Sequence, residues 1–384
     1  MSVKTKVSIQ LGRSIAVTTS IFLSSLGYAA TPITQGAPMN RMGQTMPTMA
    51  NPLTQSNNSE ATMALTWLQR MAQAAKQVNY MGVFVYQRGN YVETLQVTHQ
   101  AASAQTQNKE QEKLETLDGK QREIIRNKDQ VICHFGSQEN TEKDGKSDVR
   151  LETRKNYHSV QKLSSTELAS LGTNYHFKMG DSERIAGRET QQILLEPKDH
   201  YRYAHRFWID KATGLLLKAS MLNEHNQLVD QFTFTQIAVN VAIDKNAFNY
   251  NKSMQPAHPN IANNPTLITN NEMSNNRNAF EPSSWTIPNS VGFKKVVETK
   301  YQFRKDRPPI TYLMYSDGLA AVSIFIAEAN PNRTSTTRET NREPQVKQRG
   351  AIHSLVQYVG DYRITVLGEV PAATVLHFAH SLKK

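Results

Sequence analysis

The spacing of hydrophobic residues changes character at Asn79. Before it, Leu65, Leu68, Ala72, Ala75 and Val78 recur in steps of three and four, which predicts a helix over Ala61 to Val78 with one apolar face. Ser59 suits its N-cap, and Glu60 suits its first turn. After it, Tyr80-Met81-Gly82-Val83-Phe84-Val85-Tyr86 is aromatic and β-branched, the composition of a strand. Tyr80, Phe84 and Tyr86 fall on one face; Met81, Val83 and Val85 fall on the other. A strand apolar on both faces must be covered on both. The helix can cover one side, and the other faces a core or a cavity.

Alternation continues downstream. Tyr91 to His99 follows a Gly89-Asn90 hairpin turn, and Lys113 to Leu117 pairs with Arg122 to Arg126 across Asp118-Gly119. Asp129 to Phe135 is a further strand. Ser164 with Glu167 fits a capping box, so Ser164 to Leu171 reads as a short helix. Tyr175 to Met179 ends at a turn-like Gly180-Asp181, and Arg184 to Leu195 reads as strand, turn and strand. Three long strands follow at Tyr203 to Ile209, Leu215 to Leu222 and Val229 to Val239. The result is an antiparallel meander of about eight to eleven strands. Lys252 to Pro282, rich in Asn, Pro and Met, reads as a linker. Beyond it, strands at 293–303, 311–316, 320–326, 351–359 and 362–367 precede a helix over Val370 to Ala379, with a polar loop over Asn330 to Arg349. That is a smaller α+β domain.

The chain has 384 residues and a formal charge of +11. Its first 30 residues have the form of a secretion signal: Lys4, Lys6 and Arg13, an apolar run from Ser14 to Leu26, then Gly27-Tyr28-Ala29-Ala30 for cleavage near Ala29 or Ala30. Removing them leaves +8, which suits an acidic partner or an anionic lipid surface without specifying either. Thr31 to Asn58 reads as a disordered spacer. The expected organisation is therefore 1–30 signal, 31–58 spacer, 59–251 first domain, 252–282 linker and 283–384 second domain. Cys133 is the single cysteine, which rules out an internal disulfide, and it reads as a small buried hydrophobe.

No constellation for catalysis is visible. There is no phosphate-cradling glycine loop, nucleophile elbow, His-Glu-x-x-His or paired-cysteine spacing. The expectation is a protein that is not an enzyme and has no cofactor or metal. His200 and His205 read as strand-edge or surface residues. Asp210, Asp317 and Asp361 sit in glycine-containing turns, where Asp shapes the turn. Two features are left to carry function. One is an aromatic-aliphatic lining that includes Phe84, Tyr86, Phe207 and Phe234, either a sealed core or an acyl-chain cavity. The other is a set of basic residues, Arg202 and Arg206 among them, read as a solvated face or a rim for acidic groups.

Six segments in order resemble the RseB/MucB family of periplasmic negative regulators of the envelope-stress sigma factor. They are Tyr80 to Tyr86, Leu117-Asp118-Gly119 with Arg122-Glu123, Ile185-Ala186-Gly187-Arg188, Tyr201 to Asp210 with Thr213 to Lys218, Tyr315-Ser316-Asp317-Gly318-Leu319, and Ile364 to Pro371. The resemblance implies an α+β chain. Its large N-terminal domain would be a LolA/LolB-like unclosed antiparallel barrel with helices, followed by a smaller domain of sheet and helix. It implies that lipopolysaccharide or lipoprotein acyl chains occupy the first domain; on the strand faces read above, Phe84, Tyr86, Phe207 and Phe234 are the residues expected to bind them. The implied partner is the periplasmic part of a membrane anti-sigma factor, shielded from its first protease; Arg202, Arg206, Tyr315 and Leu319 are the residues expected to contact it. The alternative is a periplasmic lipid or lipoprotein carrier. Nucleic acid is not expected as a partner, and self-association is left open.

Overall fold

The computed structural model describes residues 52–103, 110–119, 121–127, 130–135, 149–152, 163–249, 266–268, 283–302, 308–329 and 345–384. The signal segment, most of the spacer, residues 104–109 and 136–148, and the loop at 330–344 lie outside them. So does the linker apart from Thr266–Ile268.

Helix α1 spans Pro52–Gln77, so it begins earlier than its apolar period. Ser59 lies within the helix and is not its cap. Proline is well tolerated in a first helical turn, which allows the start at Pro52. Ala64, Leu68, Met71 and Ala72 form the buried stripe. Asn79 then ties the helix end to two strands. Its side-chain oxygen accepts the Ala101 N–H at 2.8 Å, and its carbonyl accepts the Asn240 N–H at 2.8 Å.

Eleven strands make the larger sheet. They are β1 Tyr80–Arg88, β2 Tyr91–Gln100, β3 Gln111–Thr116, β4 Arg122–Asn127, β5 Gln130–Phe135, β6 Val149–Glu152, β7 Tyr175–Ile185, β8 Arg188–Pro197, β9 Ala204–Asp210, β10 Leu216–Leu222 and β11 Leu228–Val239. The order β6-β5-β4-β3-β2-β1-β11-β10-β9-β8-β7 is antiparallel at every described pairing, with β6 and β7 as its two edges. The sheet is therefore unclosed. Gly180 and Asp181 do not end a strand. They form a bulge inside β7, where the register shifts between Met179 and Ser182. Turn-formers also serve bulges, which is why the sequence suggests a break there. Helix α2, Ser165–Ser170, carries the expected capping box between Ser164 and Glu167. Cys133 falls in β5, and its side chain is outside the described residues.

α1 packs on β7 and β8. Its Ala64, Leu68 and Met71 join Leu168, Leu171, Tyr175, Ile193, Leu195, Phe207 and Ile209 in one core. Further along the helix, Ala74 joins Val97, Trp208, Leu217 and Phe234 in another.

The second domain has seven strands: β12 Thr266–Ile268, β13 Lys294–Gln302, β14 Ile310–Ser316, β15 Ala321–Glu328, β16 Lys347–Arg349, β17 Ile352–Val359 and β18 Tyr362–Gly368. Their order is β12-β13-β14-β15-β18-β17-β16. β12 comes from the stretch that reads as plain linker, and it pairs with the end of β13. Helix α3, Ala372–Ser381, has Pro371 at its N-cap and packs on β17 and β18. The strands bury alternate residues beneath it, Val322, Ile324 and Ile326 in β15 and Ile364 and Val366 in β18. Among the described residues, no helix is long and apolar enough to cross a membrane.

Candidate functional site

β1 is the centre of the larger sheet, yet every one of its nine residues is only half-buried. Register places Leu95, Phe84 and Phe234 side by side across β2, β1 and β11. The Phe84 ring centroid lies 5.9 Å from that of Phe232 and 5.5 Å from that of Phe234. Tyr80 stacks on His99 at 4.8 Å and meets Phe234 edge-on at 6.3 Å. Gly82 makes this packing feasible, because a Cβ there would collide with the Phe234 ring and the Gln236 carbonyl. Phe84 and Phe234, both expected in the lining, therefore touch.

Tyr86 stands at one end of this aromatic row. Its hydroxyl donates to Asp230 Oδ2 at 2.7 Å, and Arg88 Nε donates to the same oxygen at 2.9 Å. Burial first, then the Asp230 bond, pushes the Tyr86 phenol well up, so it remains a donor at neutral pH. Arg88 also reaches Glu369 of the second domain at 2.9 Å. Phe207 lies apart from the other three, in the core under α1. Phe232 bridges the gap, since it packs against both apolar clusters.

Phe207 leads toward the second domain by another route. His205 stacks on it at 5.9 Å, and Tyr175 meets His205 edge-on at 6.2 Å. Tyr175 donates its hydroxyl to Asp317 Oδ2 at 3.3 Å. His205 is therefore not a surface residue. Burial lowers its pKa to about 4, so its ring is neutral at pH 7, although Asp317 pulls the other way.

Asp317 receives a fully enclosed contact between the domains. Arg202 Nε donates to its Oδ2 at 2.5 Å, and both side chains are 0% exposed. Arg202 Nη1 reaches Asp199 at 2.5 Å, Nη2 donates to the Val291 carbonyl at 2.8 Å, and the guanidinium lies 4.4 Å from the centre of the Phe293 ring. Asp317 Oδ1 accepts the N–H groups of Leu319 and Ala320, so this aspartate shapes its turn as expected and also grips Arg202. Gly318 has φ +104, and a Cβ on it would press on Leu171 at 3.2 Å. Leu319 packs against the core of the first domain. Elsewhere, Tyr203 donates to the Ala351 carbonyl at 3.3 Å, and Thr374 donates to the Tyr201 carbonyl at 2.7 Å.

Of the residues expected to face a partner, Arg202 is enclosed and Tyr315 is a core residue of the second domain, edge-on to Phe378 at 5.3 Å. Leu319 packs into the first domain. All three are occupied within the chain. Strand alternation gives the face of a residue but not the body that covers it. Arg206 is half-buried on β9 and makes no ion pair with the described residues. Sequence reasoning missed the contacts of Tyr175 with Asp317 and His205, which lie distant from it along the chain.

Two family models match this chain. The MucB/RseB N-terminal domain matches residues 63–251, and the MucB/RseB C-terminal domain matches residues 279–383. The chain belongs to the MucB/RseB family. Curated MucB/RseB relatives include the sigma factor AlgU regulatory protein MucB of Pseudomonas aeruginosa, 28% identical over 335 residues, 87% of this chain and 94% of that one. The sigma-E factor regulatory protein RseB of Escherichia coli K12 is 25% identical over 332 residues, 85% of this chain and 93% of that one. The fold is shared with the Pseudomonas aeruginosa MucA/MucB complex structure, at a TM-score of 0.62, 24% identity and coverage of 84% of this chain and 98% of that chain. MucB in complex with MucA(peri) gives a TM-score of 0.60, 23% identity and coverage of 83% and 98%. The two MucB/RseB matches fall one on each sheet domain described above, so the Arg202–Asp317 contact joins the two family domains.

Proposed function

We propose that this protein is a periplasmic negative regulator of a sigma-E-type envelope stress response. It binds the periplasmic part of a membrane anti-sigma factor and shields it from the first protease. Lipopolysaccharide or lipoprotein acyl chains enter the first domain and release that partner. The observation that carries this reading is the aromatic row of half-buried Phe84 and Phe232 and buried Phe234 in an unclosed sheet, flanked by Tyr86 and Phe207, both of which lead to the second domain. Each buried methylene contributes roughly 0.8 kcal/mol, so one acyl chain could compete with a contact between domains. Partner recognition falls to Arg206 and to the second-domain face away from α3, where Tyr312 stacks on Phe325 at 4.8 Å and Val356 is exposed.

The test is capture of an anti-sigma periplasmic fragment with and without lipopolysaccharide. Capture that lipopolysaccharide reverses is expected, and no capture in either state rejects the reading. Removing residues 283–384 separates this function from a lipid carrier's: a regulator keeps lipid binding and loses its partner, whereas a carrier loses nothing.

A further inference from the structure

The hairpin tip Asp317-Gly318-Leu319 belongs to the second domain, yet it reaches the interior of the first. Leu319 packs with a core that includes Leu163, Leu168, Leu171, Tyr175 and Phe207. A Cβ on Gly318 would lie 3.2 Å from Leu171, a tight contact, and its φ of +104 strains any other residue. Asp317 anchors the tip through Arg202 and Tyr175. Ring contacts then run without a gap from Tyr175 to His205 to Phe207.

We propose that Leu319 plugs the inner end of the acyl-chain site, so that an entering chain must displace the hairpin tip of the second domain. This rests on the acyl-binding reading above and names its means of control. A packed interior does not yield continuously, so a chain that needs the volume held by Leu319 moves the tip as a unit. Asp317 rides on the same tip, and its movement draws it from Arg202. Binding of a hydrocarbon and loosening of the domain contact thereby become one equilibrium.

The experiment uses residues 31–384 with Cys133→Ser, Met63→Cys in α1 and Val356→Cys in β17, two exposed positions that take a donor and an acceptor dye. Dodecanoate is titrated while calorimetry reads binding and energy transfer reads the separation of the domains. The parent chain is expected to bind dodecanoate with a change in transfer. With Leu319→Ala, binding persists within about threefold and the change falls by at least half, because the chain fills the vacated volume. With Asp317→Asn, the change comes at about five- to tenfold less dodecanoate, the usual size of a coupling between sites. A Leu319→Ala chain whose transfer changes as fully as the parent's overturns the proposal. So does a parent that binds dodecanoate with no change at all. A parent that does not bind dodecanoate overturns the acyl-binding reading itself, and the proposal with it.

Discussion

Arg202 and Asp317 invite a double-substitution cycle, because the pair is fully enclosed and its neighbours are known. Arg202→Met removes the bond to Asp317, the bond to Asp199 and the bond to the Val291 carbonyl. Stranding one member of a buried pair costs about 3–5 kcal/mol. Here the stranded carboxylate keeps the N–H groups of Leu319 and Ala320 and the hydroxyl of Tyr175, so the lower end, about 3 kcal/mol, is expected. Asp317→Asn preserves the turn acceptor and leaves Arg202 its Asp199 partner, which puts that loss at about 1–3 kcal/mol, the scale of a charged hydrogen bond. The double variant leaves no stranded charge on the tip. Its loss should fall short of the sum by about 1–2 kcal/mol, within the range found for residues in contact. Urea unfolding followed by the fluorescence of Trp67, Trp208 and Trp285 gives all four corners. Losses that simply add, within about 0.5 kcal/mol, would refute the claim that this pair fastens the domains.

Other outcomes are expected. Phe234→Ala should lower stability by about 3–5 kcal/mol and weaken dodecanoate binding, measured by the urea midpoint and by calorimetry. His205 has a folded pKa of about 4, below its unfolded value, so it favours the folded state most above pH 6.5, and that contribution is lost as pH falls from about 6.5 to about 4. The loss is at most about 3 kcal/mol, and His205→Gln should flatten that part of a melting-temperature profile. Ala186 and Gly187 join β7 to β8 with φ +47 and +78, a turn that favours Asn at its first position, so Ala186→Asn should raise stability by about 0.5–1 kcal/mol in calorimetric scans. Glu369→Gln breaks a half-exposed ion pair with Arg88 and should change stability by less than about 1 kcal/mol.

Local pattern carried the sequence reading a long way. The period of α1, the alternation of β1 and β2 and the capping box at Ser164 are all visible because each depends on residues a few positions apart. The start of α1 was hidden, because Pro52 to Asn58 lacks the apolar period that marks its later turns. Phe84 and Phe234 could be paired by face, since register follows from alternation. Leu319 could not be placed, because a leucine next to a glycine turn reads as an exposed tip until the body that receives it is known. Asp317 shows the same limit: its turn duty is local, whereas its bond to Arg202 spans 115 residues.

The two margins of the larger sheet are guarded in different ways. β6 is only four residues long, and β7 has α1 laid against it, with Glu60 accepting the Met179 N–H at 2.9 Å. Short or covered margins give a stray strand little to zip onto. A passing chain therefore meets few free backbone groups along either margin, and the sheet resists being lengthened from outside.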